Sequence, residues 1–214
     1  MKMLNRVART AAIVAMALTT ACSSSGTYKK GEKTSQSVMS ASRTLDEGSA
    51  QIDKVVASLN KLIDASPKTN LSPLFKTYSS NVEKLDSIAK DAKKRADEMK
   101  AKGNAYFTQW DAELAKINNE DIKNRSAERR TQVEQAFQRI SQKSQTLKDA
   151  YQPMMSDLQD IRTALANDLT AGGIASIKPI AARVATEATN VKSAAAALST
   201  EYEALGVKMS PTGK

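Results

Sequence analysis

VEQAFQRISQKSQTLKDAYQPMMSDLQDIRTAL, residues 133–165, carries Val133, Phe137, Ile140, Ser144, Leu147, Tyr151, Met154, Leu158, Ile161 and Leu165 at spacings that alternate strictly between four and three. A strand would sort its side chains with a period of two. This rhythm keeps one face only on a helix, and it is the seam of a coiled coil. Pro153 sits inside the stretch and removes one backbone donor, so a kink is expected near it.

The same spacing recurs on both sides. Phe75, Tyr78, Val82, Leu85, Ala89, Ala92, Ala96 and Met99 form an earlier seam, resumed one residue out of step at Phe107, Trp110, Leu114 and Ile117. Such a displacement reads as a stutter in the coil. Val38, Ala41, Leu45, Gly48, Ile52, Val55, Leu59 and Leu62 form another, ended by Pro67, which forces its predecessor out of helical geometry. Ile177, Ala181, Val184, Ala188, Val191, Ala195, Leu198, Tyr202 and Leu205 form the last. Ser72-Pro73 is expected to start the second helix, Asn118-Asn119 to reverse the chain, and Ala171-Gly172-Gly173 to break the pattern. Pro179 is expected in the first turn of the fourth helix and Gly206 at its C-terminal cap.

Four heptad helices joined by short turns predict an all-α fold, an extended antiparallel coiled coil of up-down-up-down topology. The outer helices span roughly 33 residues and the middle two roughly 47, or about 50 and 70 Å. The helix 2–helix 3 hairpin should therefore protrude, with its tip near Asn118 at the same end as the N-terminus.

The N-terminus reads as an export signal. Lys2, Arg6 and Arg9 precede the apolar run from Ala11 to Leu18, which is too short to span a bilayer of about 30 Å. Thr19-Thr20-Ala21-Cys22 resembles a bacterial lipobox, with cleavage between Ala21 and Cys22 and acylation of the cysteine, palmitate being a typical chain. It departs from that pattern at Thr19, where leucine is usual. An ordinary secretory signal with a cysteine near its cleavage site is the other reading. Cys22 is the sole cysteine, and a lone thiol in an oxidising compartment invites unwanted pairing that acylation would prevent. Ser23 after the cysteine resembles the sorting preference for the outer membrane of diderm bacteria, so the expected location is that membrane, facing the periplasm. The expected organisation is a signal peptide over 1–21, a flexible tether over 22–33, a helical bundle over 34–206 and a flexible tail over 207–214.

Composition narrows the chemistry. The net charge of +9 falls to +6 once Lys2, Arg6 and Arg9 are removed. Export and an aromatic content of 4 % argue against nucleic acid, which needs stacking platforms. There is no histidine and no second cysteine, so the usual zinc and haem ligand sets and the His- or Cys-dependent triads are missing. No cofactor or metal is expected, and no enzyme.

In the second half, Ala105-Tyr106-Phe107, Trp110, Glu113-Leu114, Gln152-Pro153, the run from Leu165 to Leu169 and Ile174-Ala175-Ser176-Ile177 occur in an order that resembles the proteobacterial lipoprotein family catalogued as domain of unknown function 2959. The resemblance covers about residues 100–205; the first half matches in heptad character alone. It implies an exported, extended helical domain and supplies no catalytic residues.

Tyr106, Phe107 and Trp110 are the densest aromatic group, and they either fill the seam between the second and third helices or form an interaction tip with Arg125, Arg129 and Arg130. Lys90, Lys93, Lys94, Arg95, Lys100 and Lys102 alternate with Asp91, Asp97 and Glu98, as a solvated face does. Asp46/Glu47 and Glu201/Glu203 lack the desolvated pocket that acid–base pairs require. The expected role is a lipid-anchored envelope spacer, scaffold or adaptor with a membrane contact and a protein or cell-wall partner. The alternative is a module whose basic hairpin holds anionic lipid or cell-wall polymer. Homo-oligomers are a third reading, and Lys214 resembles the terminal lysine of lipoproteins joined to peptidoglycan.

Overall fold

The computed structural model describes residues 25–66 and 68–210, with side chains from Glu32 onward. These residues form four helices and no strand: α1 Ser25–Ile63, α2 Leu71–Leu114, α3 Glu120–Asn167 and α4 Ala171–Met209. Around the bundle α1 packs on α2 and α4, and α3 closes the ring against α4 and, along a thinner contact, against α2. This is the antiparallel up-down-up-down arrangement that the heptads predict. Among the described residues no helix is long and apolar enough to cross a membrane.

The seams are the core. Every α4 seam position from Ile177 to Leu205 is buried, as is every α1 position except the half-buried Gly48. The buried side chains fall into two clusters, one around Leu59, Tyr78, Leu158 and Ile161 and one around Val38, Ile140, Leu198 and Tyr202, with Leu147 touching both. Between them the seams carry small residues, Gly48, Ala89, Ala92, Ala96 and Ser144, so little apolar area is buried there. A Cβ on Gly48 would meet the Ile88 Cγ2 at 3.7 Å, an ordinary contact. Gly48→Ala is therefore expected to raise stability in chemical denaturation by about 1 kcal/mol, the helix-propensity difference.

Several boundaries differ from the sequence expectation, each for a local reason. The start of α1 at Ser25 makes residues 25–33 helical where a tether was expected. Thr34 and Ser35 just after it are buried, and the Ser35 hydroxyl donates to the Gly206 carbonyl at 3.0 Å, fastening this turn to α4. Gly206 is consequently a close-approach site inside α4, and the cap is Ser210. Helix α2 starts at Leu71, two residues before Pro73, because Asn70 rather than Ser72 caps it by accepting from the Ser72 N–H. Thr170 caps α4 in the same way through the Gly173 N–H, so Ala171-Gly172-Gly173 open the helix rather than break it. Pro179 then lies inside α4, and it is exposed. The carbonyl of Ala175, which loses its donor to the proline, sits on an exposed residue that water can serve.

These extensions shorten the overhang. Helices α1 and α4 have 39 residues each, against 44 in α2 and 48 in α3. Arg129 of α3 donates to the carbonyl of Lys208, close to the end of α4. Residues 120–128 and the α2–α3 turn run past that point, and the α1 N-terminus is at the same end of the bundle.

Candidate functional site

This end gathers the residues that the sequence singles out. Cys22, Ala21 and Lys214 lie outside the described residues. Ser25, where α1 begins, is three positions from Cys22 and on the same end as the α2–α3 turn.

The structure does bring Tyr106, Phe107 and Trp110 together. Ring centroids lie 5.8 Å apart for Tyr106 and Phe107 and 5.3 Å for Tyr106 and Trp110, and Phe107 meets Phe137 of α3 edge-on at 5.3 Å. Gly103 makes this possible: a Cβ there would lie 2.4 Å from the Phe137 ring, so only glycine leaves the ring its place. Phe107 is buried, Tyr106 and Trp110 are half-buried, and the Trp110 indole donates to Ser126 Oγ at 3.0 Å. Burial pushes the Tyr106 phenol above its ordinary pKa, with Arg129 pulling the other way.

Arg130 stacks over Phe107 at 5.1 Å and forks onto Asp111 at 2.6 and 2.9 Å while reaching Glu134 at 2.7 Å. Of the six tip candidates, then, Phe107, Trp110, Arg129 and Arg130 are held by the α2–α3 and α3–α4 contacts, Tyr106 is partly so, and Arg125 is exposed. The aromatic group is first a packing seam. In the first turn of α3 the exposed apolar residue is Ile122, 57 % accessible.

The charges divide unevenly along the bundle. The half built from residues 25–45, 91–143 and 195–210 holds 17 Lys and Arg against 12 Asp and Glu, whereas residues 46–90 and 144–194 hold 11 against 11. The basic excess of the helical domain thus belongs to the end bearing the N-terminus. Lys90, Lys93 and Arg95 pair with Asp86, Asp97 and Asp91 one turn away, the solvated pattern expected, and such exposed pairs contribute little stability.

Two features escape the sequence pattern. A cleft of about 290 Å³ opens between α1 and α2, lined by Lys33, Gln36, Ser37, Ser40, Arg95, Glu98 and Lys102. Its residues come together only once α1 and α2 are set in register, and the hydroxyls flanking the α1 seam are the one hint that sequence offers. The other feature joins α3 and α4, where Arg183 forks onto Asp157 at 2.5 and 2.7 Å with Glu187 close by.

Burial, then the Asp157 charge, push Glu187 above the usual carboxylate range, while Arg183 opposes them. An acid whose pKa rises on folding weakens the fold as pH climbs from its ordinary value of 4.5 through the raised one. Glu187→Gln is expected to raise the melting temperature at pH 7 and to flatten its pH dependence above 4.5, read by thermal denaturation across pH.

Neither acid pair meets at either feature as a pair, although the Glu47 charge acts on Arg95 of the cleft. Glu201 pairs with Arg139 at 3.1 Å, and Glu203 faces Ser42. Among the described residues no group of three or more acidic, histidine or cysteine side chains is arranged to hold a metal ion.

The family model described as Protein of unknown function (DUF2959) matches residues 20–204. No curated protein matches the chain, and no solved structure does.

Proposed function

We propose, for a chain that belongs to the DUF2959 family of proteins of unknown function, a non-enzymatic part in the bacterial envelope. It is a helical spacer, scaffold or adaptor, held at the outer membrane by acyl chains on Cys22 and facing the periplasm. The observation that carries this reading is the start of α1 at Ser25, which leaves Ser23 and Ser24 alone between the candidate anchor and a helix of 39 residues. Such a helix is about 58 Å long, so an anchor at Cys22 would join directly to a rod rather than to a slack tether. The aromatic and arginine side chains of the basic end support it too, since packing takes up most of them.

The rod predicts a polarity that can be measured. In protein reconstituted into vesicles, a fluorophore on Asn118→Cys should be quenched by spin-labelled lipid, and one on Ser66→Cys, at the opposite end, should not. Equal quenching at both positions would remove the spacer reading.

A second reading is favoured by the charge asymmetry: the basic end holds anionic lipid or cell-wall polymer. Each basic residue near an anionic surface contributes about 1 kcal/mol, and the attraction is screened by salt. Binding to anionic vesicles should therefore fall steeply between low and high salt, and salt-insensitive or absent binding would discard this reading.

A further inference from the structure

We propose that the cleft between α1 and α2 around Lys33, Ser37, Ser40, Arg95 and Lys102 is a binding site for a phosphate-bearing anion. It deepens the second reading above, and rests on it for the source of the phosphate.

The donors are arranged for such a group. Lys102 Nζ contacts the neutral Ser37 hydroxyl at 2.9 Å, and among the described residues neither Lys102 nor Lys33 has an ion-pair partner. An ammonium has three donors, so Lys102 keeps two for an anion. Arg95 places Nη1 on Ser40 Oγ at 2.7 Å and Nε on Asp91 at 2.8 Å, which leaves three of its five N–H groups. The Ser37 hydroxyl donates to the Lys33 carbonyl at 2.9 Å, fixing the turn from which Lys33 extends.

One carboxylate, Glu98, also lines the cleft. The Ser37–Lys102 and Ser40–Arg95 contacts set the register of the two helices, and by it Lys33 lies towards Lys102 and away from Glu98. Arg95 is already paired with Asp91, so Lys33 and Lys102 against Glu98 leave an excess of one positive charge, which suits a singly charged phosphate group. The cleft of about 290 Å³ is near the lower bound of ligand pockets and holds a phosphate with a small alcohol or sugar attached.

The test uses the full chain and two probes at low salt: inorganic phosphate followed by calorimetry, and vesicles of phosphatidylcholine with or without phosphatidylglycerol. Lys33→Gln and Lys102→Gln are compared with Lys54→Gln and Lys61→Gln on the charge-balanced half. The cleft predicts saturable phosphate binding, weakened about tenfold by each cleft variant, the worth of one charge-assisted hydrogen bond, and unchanged in the two controls. Absence of saturable phosphate binding, or cleft variants that match the controls, would overturn it. Phosphate binding without vesicle binding upholds the cleft and assigns its ligand to a soluble or polymeric phosphate, removing the membrane source. Vesicle binding that ignores the cleft variants, with no phosphate binding, overturns the cleft and leaves the basic-end reading standing.

Discussion

Tyr78→Ala is expected to lower the unfolding free energy by about 4 kcal/mol, the middle of the range for emptying a buried aromatic site. Tyr78 is fully buried within α2, and its hydroxyl donates to the Leu158 carbonyl of α3 at 2.8 Å. The contact between α2 and α3 is the thinnest in the bundle, so little else there can take over its packing. Tyr78→Phe keeps the ring and drops the hydrogen bond, and should cost about 1 kcal/mol. Urea denaturation of the two variants separates the ring from the hydroxyl; equal losses in both would contradict this division.

The hydroxyl adds a pH signature. Burial pushes the Tyr78 phenol well above its ordinary value of 10.0, against a smaller opposing pull from Arg162. An acid whose pKa rises on folding gives stability that is lost as pH climbs above its ordinary value. The wild type should therefore lose stability faster than Tyr78→Phe above pH 10.

Gly173→Ala is the second large effect, and its sign runs against helix propensity. Alanine gains about 1 kcal/mol over glycine in a helix. At this position its Cβ would lie 2.0 Å from the Asp168 carbonyl oxygen. That backbone is pinned, because the Asp168 N–H bonds to the Ala164 carbonyl at 2.9 Å and the Thr170 hydroxyl holds the Asp168 carboxylate at 2.6 Å. The α3–α4 turn would have to open, so a net loss of about 2 kcal/mol is expected, in the range for overpacked sites. The same substitution at Gly48 should stabilise. A denaturation series in which both variants moved in the same direction would refute this account of the two glycines.

The contrast shows what could be read ahead of the structure. The seam residues from Val38 to Leu62 and from Ile177 to Leu205 were legible because period alone sorts them, and burial follows their spacing almost residue by residue. Helix ends were less legible. Gly206 and Gly173 have the composition of a cap and a breaker, but their places depend on Ser35 of α1 and on the Asp168 carbonyl, partners invisible in local sequence. The Ser- and Lys-rich start of α1 has the composition of a tether, and its helix is fixed by burial of Thr34 and Ser35 against a neighbour.

The candidate site divides in the same way. The aromatic group could be located from sequence, since Tyr106, Phe107 and Trp110 stand within one helical turn. Its use as a seam could not, because the space for Phe137 is made by Gly103, and only the α2–α3 register brings the two together. The α1/α2 cleft was illegible for a related reason. Ser37 and Lys102 are 65 positions apart, and nothing in the spacing of either helix says which turns will face each other.

The central claim is the anchor at Cys22, and intact mass of membrane-fractionated protein tests it most directly, with Cys22→Ser alongside. A wild-type mass that begins at Cys22 and carries acyl chains, with the Cys22→Ser protein unmodified and released from the membrane fraction, is the result predicted. A soluble wild-type product without acyl chains would contradict it and leave the helical rod with no membrane to stand on.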